Sequence, residues 1–176
     1  MRQTEVMPDA DDLIRRYCSK QDQAAFRRFY QQEAPRLWKF FLARGCDADT
    51  AYDLLSETFL RFIQTVCKNP AAPLPLLYRI ALNLRIDLHR RAQHWPVTLE
   101  SEQLAAIPAP GGDPYANEAV LRAMNTLHGD EQNLLLMRYW IGLTHAEVAE
   151  AIGLPEGTVR RQAAAALHKL RGILEA

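Results

Sequence analysis

Apolar residues return every three or four positions over most of the chain, the spacing of helices with one buried side. From Asp9 to about Cys18, Leu13, Ile14 and Tyr17 form a stripe behind Asp9, Asp11 and Asp12, acids that suit the positive end of a helix dipole. A longer run from about Asp22 to Arg44 places Phe26, Phe29, Tyr30, Leu37, Phe40 and Phe41 inward. Pro35 is expected to interrupt it near Gln31 to Glu33, and Gly45 to close it. The next helix, about Ala48 to Cys67, turns Leu54, Leu55, Thr58, Phe59, Phe62, Ile63 and Val66 inward. Its start carries an acidic and polar patch of Asp49, Asp53, Ser56 and Glu57. Asn69 to Pro75 holds three prolines in seven residues and predicts a rigid, non-helical loop. From Leu76 to about His94, Leu77, Ala81, Leu84 and Leu88 share one side; Arg79, Asn83, Ile86 and Arg90 share the other.

The pattern changes at residues 96–114, where Pro96, Pro108, Pro110 and Pro114 accompany acids and no Lys or Arg. This stretch predicts a linker between a helical domain at 1–95 and a second at 115–176. The second domain opens with a helix from about Ala116 to Thr126 presenting Val120, Met124 and Leu127. Another runs from about Asp130 to Trp140, presenting Leu134, Leu135, Met137 and Tyr139. Thr144 and Glu147 then form a capping box, Gly153 ends a short helix, and Pro155 suits the start of a new one. That sequence of signals predicts a helix-turn-helix in which Val159, Ala163, Ala166 and Leu170 are buried. A motif of this kind can lay its second helix in the major groove, with Glu156, Thr158, Arg161 and Gln162 near base edges and Arg160, Lys169 and Arg171 near phosphates. The fold class is all-α: two small helical domains, the second containing the helix-turn-helix.

Charge narrows the function. Twenty-one Lys and Arg balance twenty-one Asp and Glu, so the net charge is zero and the whole surface is not a polyanion trap. Affinity for nucleic acid must come from local patches, or from a partner that brings the DNA close. Cys18, Cys46 and Cys67 are odd in number and lack a CxxC, which predicts three reduced thiols. No apolar run approaches the length of a membrane span and no leader pattern opens the chain, so a soluble, cytoplasmic protein is expected. His89, His94, His128, His145 and His168 follow no metal-ligand spacing, and no Gly-rich phosphate loop or nucleophile setting is visible. No catalytic residue, metal or cofactor is assigned.

Several runs, in order, resemble the extracytoplasmic-function (ECF) sigma factors of bacterial RNA polymerase. In the first domain they are residues 25–30 (AFRRFY), 53–59 (DLLSETF) and 77–81 (LYRIA), with Asn83, Asp87, Arg90 and Arg91; in the second, 142–144 (GLT), 147–149 (EVA), 153–155 (GLP) and 157–159 (GTV). The resemblance implies that Asp53, Ser56 and Glu57 dock on the β′ coiled coil of core RNA polymerase, Glu57 by an ionic contact. It implies that the loop beginning at Asn69 captures a flipped base of the minus-ten element, while Arg79, Asn83, Arg85 and Arg90 hold the strand. In the second domain it implies minus-thirty-five recognition through Thr158, Arg160, Arg161, Gln162 and Lys169, with an apolar side toward the β flap. An anti-sigma factor is a further partner implied. Leu76, Leu82, Ala165 and Leu167 stand where the family often has aromatic or basic residues, which implies weaker and more polymerase-dependent promoter binding. The alternative reading is a stand-alone helix-turn-helix regulator whose first domain dimerises or senses a signal.

Overall fold

A computed structural model of the protein describes residues 9–94 and 114–176. Four helices build the first half: α1 (Ala10–Lys20), α2 (Gln23–Ala43), α3 (Ala48–Val66) and α4 (Pro73–His94). The second holds α5 (Pro114–Thr126), α6 (Gly129–Leu135) running into a π-helical turn (Leu136–Trp140), α7 (His145–Ile152) and α8 (Glu156–Glu175). Residues 96–113 of the expected linker lie outside the described residues, and Pro114 already belongs to α5.

The helix ends obey local chemistry. The side chains of Asp22 and Asp47 accept from the amides of Ala25 and Thr50, and these bonds pull both carboxyls below their ordinary pKa. Gly45, at φ +84°, ends α2: its amide bonds the Leu42 carbonyl and the Cys46 amide bonds that of Phe41, the paired closure of a Schellman motif. Pro35 does not interrupt α2, which runs unbroken past it. The amide that Pro35 lacks forfeits one bond, a loss offset where Phe29, Ala34, Leu37, Phe40 and Phe41 are buried on either side.

Nor does the proline-rich stretch stay outside a helix. α4 begins at Pro73 and includes Pro75, because amides in a first turn have no intrahelical partner and a proline there removes nothing.

Phe29 and Phe62 stack at 5.3 Å, and Phe40 meets Tyr78 edge-on at 5.7 Å, joining α2 to α3 and α4. Leu77, Ala81 and Leu84 are buried as expected, but Leu88 and Ile63 are 39% exposed. Tyr139 is also exposed, at 56%, and Leu136 takes the inner place. The cause is the π turn: Ile141 bonds back to the Leu136 carbonyl, and the extra residue rotates the end of the helix out of α-helical register.

Cys18 and Cys67 are joined in a disulfide, contrary to the three reduced thiols expected; only Cys46 is free. The pairing depends on the end of α1 lying against the end of α3, which brings two Cα atoms 49 residues apart in sequence to 5.2 Å.

The two halves also meet. α7 packs on α4, and a single apolar cluster runs from Phe40, Leu77 and Ala81 to Met137, Leu143 and Val148.

Candidate nucleic-acid interface

The turn between α7 and α8 is built as the sequence predicts. The Thr144 hydroxyl accepts from the Glu147 amide at 3.2 Å, and the Glu147 carboxylate accepts from the Thr144 amide at 2.7 Å. Gly153 adopts φ +72°, and Pro155 caps α8. Val159, Ala163 and Ala166 are buried, leaving Arg160, Arg161 and Gln162 exposed and Thr158 half-buried on the first turns of α8. Arg160 pairs with Glu156 at 2.7 Å, while the Arg161 guanidinium contacts the Thr158 hydroxyl at 3.5 Å.

Lys169 departs from this group. It lies roughly half a turn around α8 from Arg160 and donates to Glu131 of α6, an interaction that holds the Glu131 carboxyl below its ordinary pKa. Its charge is already engaged within the domain.

On α3, Asp53 and Ser56 are exposed and Glu57 is partly so, its carboxylate 2.6 Å from Arg61. Tyr52 (63% exposed) and Leu60 (58%) flank them at i, i+4 and i+8 with Ser56. The acidic and polar pattern of α3 does not single out these two. Their signal lies in the apolar spacing instead: Leu60 falls off the stripe of Leu54, Leu55, Phe59 and Phe62, and Tyr52 lies at its edge in the first turns of α3, so two large apolar residues are left facing outward.

The proposed minus-ten residues do not form one free surface. Asn69 is exposed just beyond α3, and Arg79, Asn83 and Arg90 occupy the outer face of α4. Arg79, however, donates to the Glu150 carbonyl of α7. Arg85 turns sideways and donates to the Arg44 carbonyl at 2.9 Å, beside the Cys46 thiol. Arg44 in turn donates to Asn133 at 2.6 Å and to Gln132, tying the α2–α3 turn to α6. Burial, reinforced by neighbouring Arg85, lowers the Arg44 pKa to about 10, and burial raises that of the Cys46 thiol. A separate polar pair, Glu33 and Tyr78, lies in the core with both pKa values pushed up, chiefly by desolvation.

The described residues contain no His, Cys, Asp and Glu group able to hold a metal, and no helix long and apolar enough to cross a membrane. What they do contain is an all-helical protein with an outward acidic and apolar face on α3 and a helix-turn-helix whose second helix presents arginines. The sigma-70 region 2 family model matches residues 29–94, and the sigma-70 region 4 model matches residues 123–172. The chain belongs to the ECF class of RNA polymerase sigma factors. It is 29% identical over 160 residues to the ECF RNA polymerase sigma factor SigL of Mycobacterium tuberculosis, covering 86% of this chain and 90% of that one. It is 31% identical over 144 residues to the probable RNA polymerase sigma factor RfaY of Xanthomonas campestris pv. campestris. That match covers 76% of this chain but 36% of the longer relative. In fold it is similar to the sigma factor RpoE solved with the anti-sigma factor NepR from Bartonella quintana, with a TM-score of 0.69 and 18% identity over 86% of this chain and 97% of that one.

Proposed function

We propose that this chain binds core RNA polymerase and directs promoter-specific initiation, recognising and melting the minus-ten element with one domain and reading the minus-thirty-five element with the other. The carrying observation is the order of the two sigma-70 regions along a chain whose second region exposes Arg160, Arg161 and Gln162 at the start of α8. Domain 1–95 is assigned to polymerase and minus-ten contacts, 96–114 to the linker and 115–176 to minus-thirty-five contacts. On α3, Asp53, Ser56 and Glu57 would meet the β′ coiled coil, with Tyr52 and Leu60 adding apolar area to an ionic contact. Asn69, Asn83 and Arg90 would track the melted strand, and Arg79 would join them once it leaves the Glu150 carbonyl of α7. Arg85 and Lys169 would join only after giving up their present partners, Arg44 and Glu131.

Sigma factors are non-enzymatic regulators: they place, and polymerase carries out the chemistry. A cytoplasmic site of action and control by an anti-sigma factor go with this reading. The sigma-70 region 2 match over residues 29–94 favours it over a stand-alone regulator. Run-off transcription with core polymerase on a genomic fragment library tests it. Discrete transcripts that require this chain are expected. Sedimentation as a dimer that ignores core polymerase would replace the reading with the regulator.

A further inference from the structure

The Cys18–Cys67 bridge sits at the base of the loop that carries Asn69. Cys67 follows the last residue of α3 and is exposed, whereas Cys18, in the last turn of α1, is half-buried against the apolar core. The Cys67 side of the bridge is therefore open to small solutes, and the Cys18 side is held in place. α1 is itself fixed: Leu13 and Ile14 are fully buried, and Arg16 pairs with Asp22 at 2.8 Å across the turn into α2. Beyond Cys67 the chain makes two turn bonds, from the Lys68 amide to the Thr65 carbonyl and from the Asn69 amide to the Val66 carbonyl, and enters α4 at Pro73. α1 also packs on α4. Oxidised, the pair makes α1 a brace that joins the start of the loop to the helix into which the loop leads. Reduced, the α3 side of that brace is gone, and the start of the loop is held by the burial of Val66 and the two turn bonds.

We propose that Cys18 and Cys67 are a reversible thiol–disulfide switch, the bridged form presenting the Asn69 loop for capture of the minus-ten base and the dithiol form weakening that capture. The inference rests on the sigma reading, which puts the chain beside RNA polymerase in the compartment where thiols are kept reduced. A disulfide there is seldom a permanent staple and usually answers to oxidants. Cys18 also precedes residues 29–94, which match the sigma-70 region 2 model, so the brace adds to that region a control from outside it. The exchange takes a low-molecular-weight disulfide as oxidant. The Cys67 thiolate attacks one of its sulfurs and expels a small thiolate, which takes up the proton Cys67 lost. The Cys18 thiolate then attacks the Cys67 sulfur of the mixed disulfide and expels the second, which takes up the proton of Cys18. Two protein thiols are oxidised and one small disulfide is reduced to two thiols; excess small thiol runs the same steps backwards. Cys46 is too far to intercept the intermediate, because it lies at the other end of α3, about 28 Å away at 1.5 Å per residue over a helix of 19 residues.

For the test, the full chain is oxidised with glutathione disulfide or reduced with dithiothreitol, freed of reagent under nitrogen and assembled with core polymerase. Each holoenzyme is used to enrich promoter fragments from a random-sequence library, and the non-template strand of an enriched fragment then serves as a single-stranded probe. Bridged holoenzyme is expected to bind the probe about tenfold more tightly than reduced holoenzyme, the cost of ordering roughly one further residue of backbone on binding. The difference should vanish in Cys18→Ser and in Cys67→Ser and persist in Cys46→Ser. Affinity for core and far-ultraviolet circular dichroism at the assay temperature should be the same in both states. Mass shifts on maleimide labelling should show the bridge opening and closing again as the ratio of reduced to oxidised glutathione is varied. Probe affinity in the bridged state equal to or weaker than in the reduced state, or a bridge that fails to form or to reopen across those ratios, would overturn the switch and keep the sigma reading. So would a reduced chain that loses both its circular dichroism and its hold on core, since the bridge would then be a staple. If neither holoenzyme enriches a fragment, both readings fall.

Discussion

Arg79, on the face of α4 proposed to meet the minus-ten strand, donates to the backbone carbonyl of Glu150 in the last turn of α7. Carbonyls in a last helical turn lack intrahelical partners and carry the negative end of the helix dipole, so they attract a guanidinium. The contact means that one surface of α4 cannot hold α7 and DNA together. In the free protein, Arg79→Ala should loosen α7 from α4 and speed hydrogen exchange at the α7 amides, while the buried amides of α3 keep their protection. Equal exchange in variant and wild type would show that apolar packing alone holds the two helices.

Glu57 sits where a docking charge can be changed at little cost to the fold. Its pairing with Arg61 is an exposed i, i+4 contact, worth a few tenths of a kcal/mol. Glu57→Lys is therefore expected to leave the thermal midpoint nearly unmoved and to abolish co-purification with core polymerase. A variant that still binds core at wild-type affinity would remove Glu57 from the docking face.

The Cys18–Cys67 bond closes a loop of 49 residues containing the whole of α2 and α3. By the chain-entropy relation a loop of this length contributes about 4 kcal/mol, largely by restricting the unfolded chain. Cys18→Ser should lose up to that amount in urea unfolding under non-reducing conditions. Adding dithiothreitol should bring the wild type down to the variant. If the two already unfold at the same urea concentration without reductant, the bridge is not formed in solution.

The helices were legible because their signals are local: Thr144 with Glu147, Gly45, Gly153 and the stripe of Val159, Ala163 and Ala166 each act within a few residues. What the sequence hid depended on distance or on register. Cys18 and Cys67 are partners only once α1 and α3 are packed, and Tyr139 faces outward only because the helix carrying it widens at Leu136. In the same way, Arg85 and Lys169 could be counted as free cations from their spacing, but their partners, Arg44 and Glu131, are 41 and 38 residues away.

Glu33 supplies a prediction with a sign fixed by its burial. Its side chain is in the core; one carboxylate oxygen reaches Arg36 at 3.4 Å, and the other has no partner, like the hydroxyl of buried Tyr78. Desolvation raises the carboxyl's pKa in the folded state, with Arg36 opposing only in part. The folded protein therefore binds more protons than the unfolded chain between the ordinary carboxyl pKa of 4.5 and the raised value, and stability falls as pH rises through that window. At neutral pH the ionised form is a standing cost. Glu33→Gln removes the ionisation and keeps an acceptor for Arg36, so it should stabilise the protein at pH 7 by on the order of 1 kcal/mol, the scale of an unpaired buried polar group. The gain should shrink as the pH is lowered toward 4.5, where the wild-type carboxyl is itself neutral in the folded state. Urea unfolding of both proteins across this range checks it, and a gain that stays constant with pH would mean that Glu33 is not the group whose proton the fold retains.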